Sequence, residues 1–222
     1  KVRTTAVLEI YAKSVLFDYS YKHFYNDGYG KESLILNIKK QGFDEHLPVY
    51  FVAGLLSFYQ QLYLFEQHKA QLAEWHIEKP LMVFVGNKVA DDNSDILAVV
   101  QQLAFFVNEP QTVQKWLKDL LSDNAQLLND KNQHIFKGRF VPLLSFVDDV
   151  QGLYQDMLRK IFGTRHASRL RLTHLKKSDG ELALSLGEHG TKFGVINIGD
   201  ASGLLKAAQE NFADDCDAVS DE

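Results

Sequence analysis

Apolar positions along the chain follow helical spacing first, then form an unbroken run, and finally alternate with polar ones. Val52, Leu55, Leu56, Tyr59 and Leu62 recur at i, i+3, i+4 and i+7, which marks one face of a helix and predicts an element over about 49–73. An earlier helix is expected over about 5–15, and LILNI at 34–38 reads as a short strand. Leu47 to Phe65 carries no charge. Its Pro48, Gln60, Gln61 and three tyrosines make it a buried amphipathic helix rather than a membrane span. Leu81 to Val85 is continuously apolar and rich in β-branched and aromatic residues, the composition of a parallel strand buried on both faces. Gly86-Asn87 breaks it, and Asp92 or Asn93 can cap a helix carrying Ile96, Val99, Val100, Leu103 and Val107 on one face. Strand, loop and helix in that order are the unit of an α/β fold.

Residues 111–162 are helical in pattern, with a short stripe at Leu117, Leu120 and Leu121. A longer stripe follows Pro142: Leu143, Phe146, Val150, Leu153, Met157 and Ile161. The period then changes to two. LRLTHLK (170–176), ELALSL (181–186) and FGVINI (193–198) read as successive strands separated by Gly-containing turns. Gly199-Asp200 ends the last of them, and a helix is expected from about Ser202 to Asn211.

Composition adds little until charge is mapped. The 222 residues are 45% hydrophobic and 24% charged, ordinary for a globular protein and long enough for a sizeable core. The net charge of −5 argues against a nucleic-acid partner, but it is unevenly spread. Glu210, Asp214, Asp215, Asp217, Asp221 and Glu222 crowd the last thirteen residues without a basic neighbour, and this end reads as a poorly ordered acidic tail. Without these six, 23 acidic side chains face 24 basic ones. The stretch 157–178 holds Arg159, Lys160, Arg165, Arg169, Arg171, Lys176 and Lys177 and no acid. Local patterning of this kind is what a phosphate backbone feels. Cys216 is the only cysteine, so no intrachain disulfide or cysteine-based zinc site can form, and a reducing, cytoplasmic setting is expected.

The search for chemistry is mostly negative. There is no G-x-x-x-x-G-K-S/T loop, and Gly30-Lys31 is followed by Glu32 where a hydroxyl would have to hold Mg²⁺. Asp44-Glu45-His46 lacks the spacing of a helicase acidic box and reads as a charged loop. No histidine pair has metal-ligand spacing, no G-x-S-x-G elbow occurs, and no G-x-G-x-x-G fingerprint supports a dinucleotide enzyme. Catalytic, cofactor and metal residues are therefore expected to be absent. Two turns could meet an anion: Gly86-Asn87-Lys88 after the buried strand, and Gly199 to Gly203, where Asp200 is better cast as a helix cap. The alternating Arg169, Arg171 and His174 fit the outer face of a half-buried strand as well as a phosphate surface. The aromatics of FDYSYKHFYNDGYGK (17–31) read as packing residues, since only Lys22 and Lys31 accompany them as basic groups.

Five segments resemble one family: FDYSYKHFYNDGYGK, AGLLSFYQQLYLFEQ (53–67), KPLMVFVGNKV (79–89), NSDILAVVQQLAFFV (93–107) and DGELALSLGEHGTKFGVINIGDASGL (179–204). The chain is similar to the restriction subunit of type III restriction enzymes and to related DEAD/DEAH-box superfamily 2 helicases. The resemblance implies two RecA-like domains of parallel sheet and flanking helices. Residues 1–45 would end the first, 46–76 would form a connecting helix, and 77–222 would lead the second, with a helical insertion at about 108–165 and a β-hairpin. It implies ATP and Mg²⁺ in a parent protein that couples hydrolysis to movement on DNA, with a DNA-methylating subunit as a further partner. Gly86, Asn87 and Lys88 correspond to a loop that touches the DNA backbone, and Arg165, Arg169 and Arg171 would add charge to it. The phosphate loop, the acidic box and a Q-x-x-G-R-x-x-R string have no counterpart here. The chain then reads as an internal segment of that machine, with no ATPase activity of its own, and as an incomplete domain it should show an open sheet edge and exposed apolar surface. The rival expectation is a stand-alone α/β binding or scaffold domain without nucleotide chemistry.

Overall fold

The computed structural model describes residues 19–30, 34–39, 42–86, 95–175 and 180–219. The chain divides into two units, Lys1–Leu36 and Asn37–Glu222. The helix expected over 5–15 lies outside the described residues.

In the first unit, α1 spans Tyr21–Asn26. The Tyr19 hydroxyl donates to Asp27 Oδ2 at 2.6 Å, closing the chain around the helix. Tyr21 and Tyr25, one turn apart, meet at 6.1 Å with their rings tilted by 39°, and Phe24 meets Tyr29 at 5.7 Å. All of these rings are exposed, so the aromatic stretch packs on itself rather than in a core. Residues 34–36 form no strand either, and Leu34 and Ile35 are exposed.

The second unit begins with α2 (Phe43–Gln67), continued by the short α3 (Lys69–Ala73). Asp44 and Glu45 lie in the first turn of α2, where carboxylates favour the positive end of the helix dipole. The expected charged loop is therefore a helix start. The predicted stripe Val52, Leu55, Leu56, Tyr59 and Leu62 is buried. α4 (Asp95–Asn108), α5 (Pro110–Leu121) and α6 (Val150–Phe162) follow, and α2 packs against all three. Val113, Leu117, Leu120 and Leu121 bury one face of α5, while Leu153, Met157 and Leu158 do so for α6. The expected helical run over 111–162 is interrupted. Residues 122–140 are irregular apart from an isolated bridge between Leu128 and His134, and Val141–Phe146 forms a 3₁₀ helix. Asp149 starts α6 anew by accepting from the Gly152 N–H at 2.9 Å, so the Leu143-to-Ile161 stripe runs over two elements rather than one.

The alternating segments become β1 (Leu170–His174), β2 (Glu181–Leu186) and β3 (Gly194–Asn197). Gly180 adopts φ 87°, and a Cβ there would lie 2.0 Å from the Ile198 carbonyl oxygen, so only glycine fits this turn. α7 (Ala201–Phe212) leads to β4 (Cys216–Val219). The sheet order is β3-β2-β1-β4, with β1–β2 and β2–β3 antiparallel and β1–β4 parallel. The fold is α/β, a small mixed sheet with flanking helices.

Two further expectations fail. Leu81–Val85 belongs to no sheet, and Leu81, Val83, Phe84 and Val85 are exposed. Apolar composition fitted it for a buried strand, but among the described residues no neighbouring strand pairs with it. The acidic end is not a loose tail as far as Val219. It supplies β4, whose Cα positions from Cys216 to Val219 pair in register with Leu170 to Thr173.

Candidate nucleic-acid interface

The six residues expected to meet DNA fall into two groups that the fold does not bring together. Gly86 ends the extended segment and lies against the first turn of α4. A Cβ there would sit 3.2 Å from Ile96 Cγ1. Asn87 and Lys88 lie outside the described residues. Gly86 lines a cleft of about 830 Å³ bounded by residues 79–86, α2, α4 and β3, and none of the three arginines lines it.

The arginines follow α6. Gly163, at φ 70°, ends that helix in the left-handed region, and the chain runs through an exposed turn to β1. Arg165 in that turn is exposed. Arg169 and Arg171 project from one face, while Leu170 and Leu172 between and beyond them are buried. The half-buried-strand reading holds only in part: Thr173, on the face of Arg171, is buried, and His174 falls on the face of Leu170 and Leu172. Arg169 is engaged: its Nε lies 3.3 Å from Asp217 Oδ1, and its Nη2 donates to the Ala213 carbonyl. Arg171 is half-buried, and its Nε has no hydrogen-bond partner among the described residues. Its Cα partners are Ser185 on β2 and Asp217 on β4. The acidic C-terminal segment thus lies beside the basic stretch that the charge map kept separate from it.

A second polar cluster escaped the sequence. Tyr59, buried on α2, donates to Asp156 Oδ2 on α6 at 2.7 Å. Arg159 Nε donates to Asp156 Oδ1 at 2.9 Å, and Lys160 Nζ lies 3.6 Å from Asp156 Oδ2 and also meets Glu66. Burial alone would raise the Asp156 carboxyl, but the hydrogen bonds from Tyr59 and Arg159 and the charges of Lys160 and Arg159 outweigh it and hold it below the usual carboxylate range. Burial, followed by the bond to Asp156, pushes the Tyr59 phenol well up. The i, i+3 and i+4 spacing of Asp156, Arg159 and Lys160 was the available signal. Nothing in one dimension pairs them with Tyr59. The cluster ties two helices together.

At the turn from β3 to α7, Asp200 Oδ1 accepts from the Gly203 N–H at 2.8 Å, so the carboxylate takes the place an anion would need. Among the described residues no group of histidine, cysteine, aspartate and glutamate could hold a metal ion, and no helix is long and apolar enough to cross a membrane. No family model, curated protein or solved structure matches the chain.

Proposed function

We propose that the chain is a segment of an ATP-driven DNA translocase of the superfamily 2 helicase and type III restriction class, and that it contributes sequence-independent contacts to the phosphate backbone. The observation that carries this reading is the acid-free basic stretch leading into β1, which leaves Arg165 exposed beside the sheet. The five family-like segments and the strand-turn-helix order of β3 and α7 support it, and the RecA-like identity of the domain is part of the same proposal. ATP and Mg²⁺ would be held by other parts of the machine, and a methylating subunit would be its partner.

Fluorescence anisotropy with a labelled duplex across a salt series tests this. The expected result is weak binding that falls steeply with salt, because each neutralised phosphate releases counterions. Arg165→Ala should weaken it on all sequences alike and reduce the salt slope by about 1. Asp217→Asn, by freeing Arg169, should strengthen it. Binding that is absent at low salt, or indifferent to both substitutions, refutes the proposal. One observation favours the second reading, a stand-alone binding domain: Arg169 already has a carboxylate and a carbonyl within its own chain. Under that reading the anisotropy stays flat.

A further inference from the structure

The cleft of about 830 Å³ opens between two layers of the fold. Leu55 and Phe58 of α2 and Val99 and Leu103 of α4 line one side of it, and Leu184 and Ile196 line the other. The pairs Leu184–Gly194 and Leu182–Ile196 put both of those side chains on one face of the sheet. The cleft thus lies between helices and sheet and opens at β3, the last strand in the sheet order. Leu81, Val83 and Val85 form its outer lip and are 83%, 67% and 89% exposed. Small-molecule sites have about this volume, within a range of about 300–1,000 Å³, and are mostly apolar with a few polar groups.

The charged groups on the lining are Lys79, Lys160, Lys192 and Asp95, and they are unevenly placed. Phe193 meets Phe162 at 4.8 Å, so Lys192 lies by the carboxyl end of α6, the end that also carries Lys160. Lys160 Nζ meets Glu66 near the end of α2 as well as Asp156. Met82 lies against Gly54, and Phe84 stacks on Phe51 at 5.5 Å, so this segment runs opposite to α2. Lys79, three residues before Met82, is thereby displaced from Gly54 towards Leu62. The three lysines gather on the side of the cleft nearer the carboxyl half of α2. Asp95 is on the opposite side, where its Cβ lies 3.5 Å from the position of a Gly86 Cβ, two residues beyond Phe84. The charge of Lys160 is balanced by its two carboxylates, while Lys79 and Lys192 are exposed and add positive charge at that mouth.

We propose that the cleft binds one single-chain acyl carboxylate, with the head group at Lys79 and Lys192 and the hydrocarbon chain along α2 and α4 towards Ile96. The apolar walls supply the driving force for the chain. The lysines select an anionic head, and Asp95 disfavours a second anionic group at the far end, so a ligand charged at one end alone fits the lining. The inference does not depend on the DNA reading.

Isothermal titration calorimetry of the full chain with decanoate, below its micellar concentration and without DNA, tests it. One molecule should bind per chain. Hexanoate should bind at least about tenfold more weakly, since each methylene kept out of the cleft costs about fourfold. Lys79→Gln combined with Lys192→Gln should weaken decanoate about three- to tenfold and leave decanol, which has no charge, within about twofold. If the double variant unfolds by circular dichroism, Lys79→Gln alone decides, because Lys79 is exposed. In methyl NMR spectra decanoate should shift Ile96, Val99 and Leu103, while Val113 and Leu120 of α5, which do not line the cleft, stay in place. Equal affinity for decanoate and hexanoate overturns the proposal, as does decanoate affinity unchanged by a folded lysine variant. So does an equal loss of decanoate and decanol, or shifts spread evenly over α5. Binding to phosphatidylglycerol vesicles without binding of decanoate also overturns it, the ligand then being a membrane surface. Decanoate binding that vanishes as a dimer forms overturns it too, because a second copy then fills the cleft.

Discussion

Replacing Tyr59 by Phe removes one hydroxyl from the contact between α2 and α6 and changes almost nothing in volume. The lost bond is to an ionised carboxylate, a class worth about 1.5–3 kcal/mol. Asp156 keeps Arg159 and Lys160 and is not orphaned, so the expected cost lies at the lower end, about 1.5–2 kcal/mol at pH 7. For a chain of this size that is a fall in melting temperature of about 3–8 °C. The pH dependence supplies the sharper check. The Asp156 carboxyl is depressed in the folded protein, so its stabilisation is present above the unfolded value of about 3.9 and is lost as pH falls through the folded value. Tyr59→Phe weakens that depression, and its cost should shrink once pH drops below about 4. Urea unfolding followed by far-UV circular dichroism at several pH values measures both effects, and an unchanged m-value confirms that the comparison is one of stability. In an Asp156→Asn background the same substitution should cost less than about 0.5 kcal/mol, because the partner charge has gone. A cost that is equal at neutral and acid pH, or equal in both backgrounds, would refute the charge-assisted bond as the source.

Two further outcomes are expected. Asp200→Ala removes the N-cap of α7 and should destabilise by about 1 kcal/mol in urea unfolding, while Asp200→Asn retains most of the bond and costs less. The Cys216 thiol is buried and pushed up to about 12, chiefly by that burial. At pH 8 only about one in ten thousand is thiolate, so a thiol reagent should leave the native protein unmodified over a period in which urea-unfolded chain reacts completely.

Legibility followed the range of the forces involved. The strands β1 to β3, the capped helix α7 and the buried stripe of α2 were readable because spacing, glycine turns and capping carboxylates act within a few residues of one another. Arg165, Arg169 and Arg171 were found as a charged stretch by the same local reading. Their accessibility was not, because the acid that engages Arg169 is Asp217, brought alongside by a parallel strand after two intervening strands and a helix. Tyr59 looked like one more ring on an apolar helix, and only the packing of α6 against it supplied the carboxylate.

Leu81–Val85 marks the boundary between the two kinds of knowledge. Composition determines that these residues seek burial on both faces and an extended backbone, a statement about transfer from water and steric preference that each residue carries alone. Which backbone they pair with, and whether their odd side chains are covered, depends on the placement of β3, α2 and α4. Pairing and cover come from elements remote in sequence, and only the tertiary structure decides them.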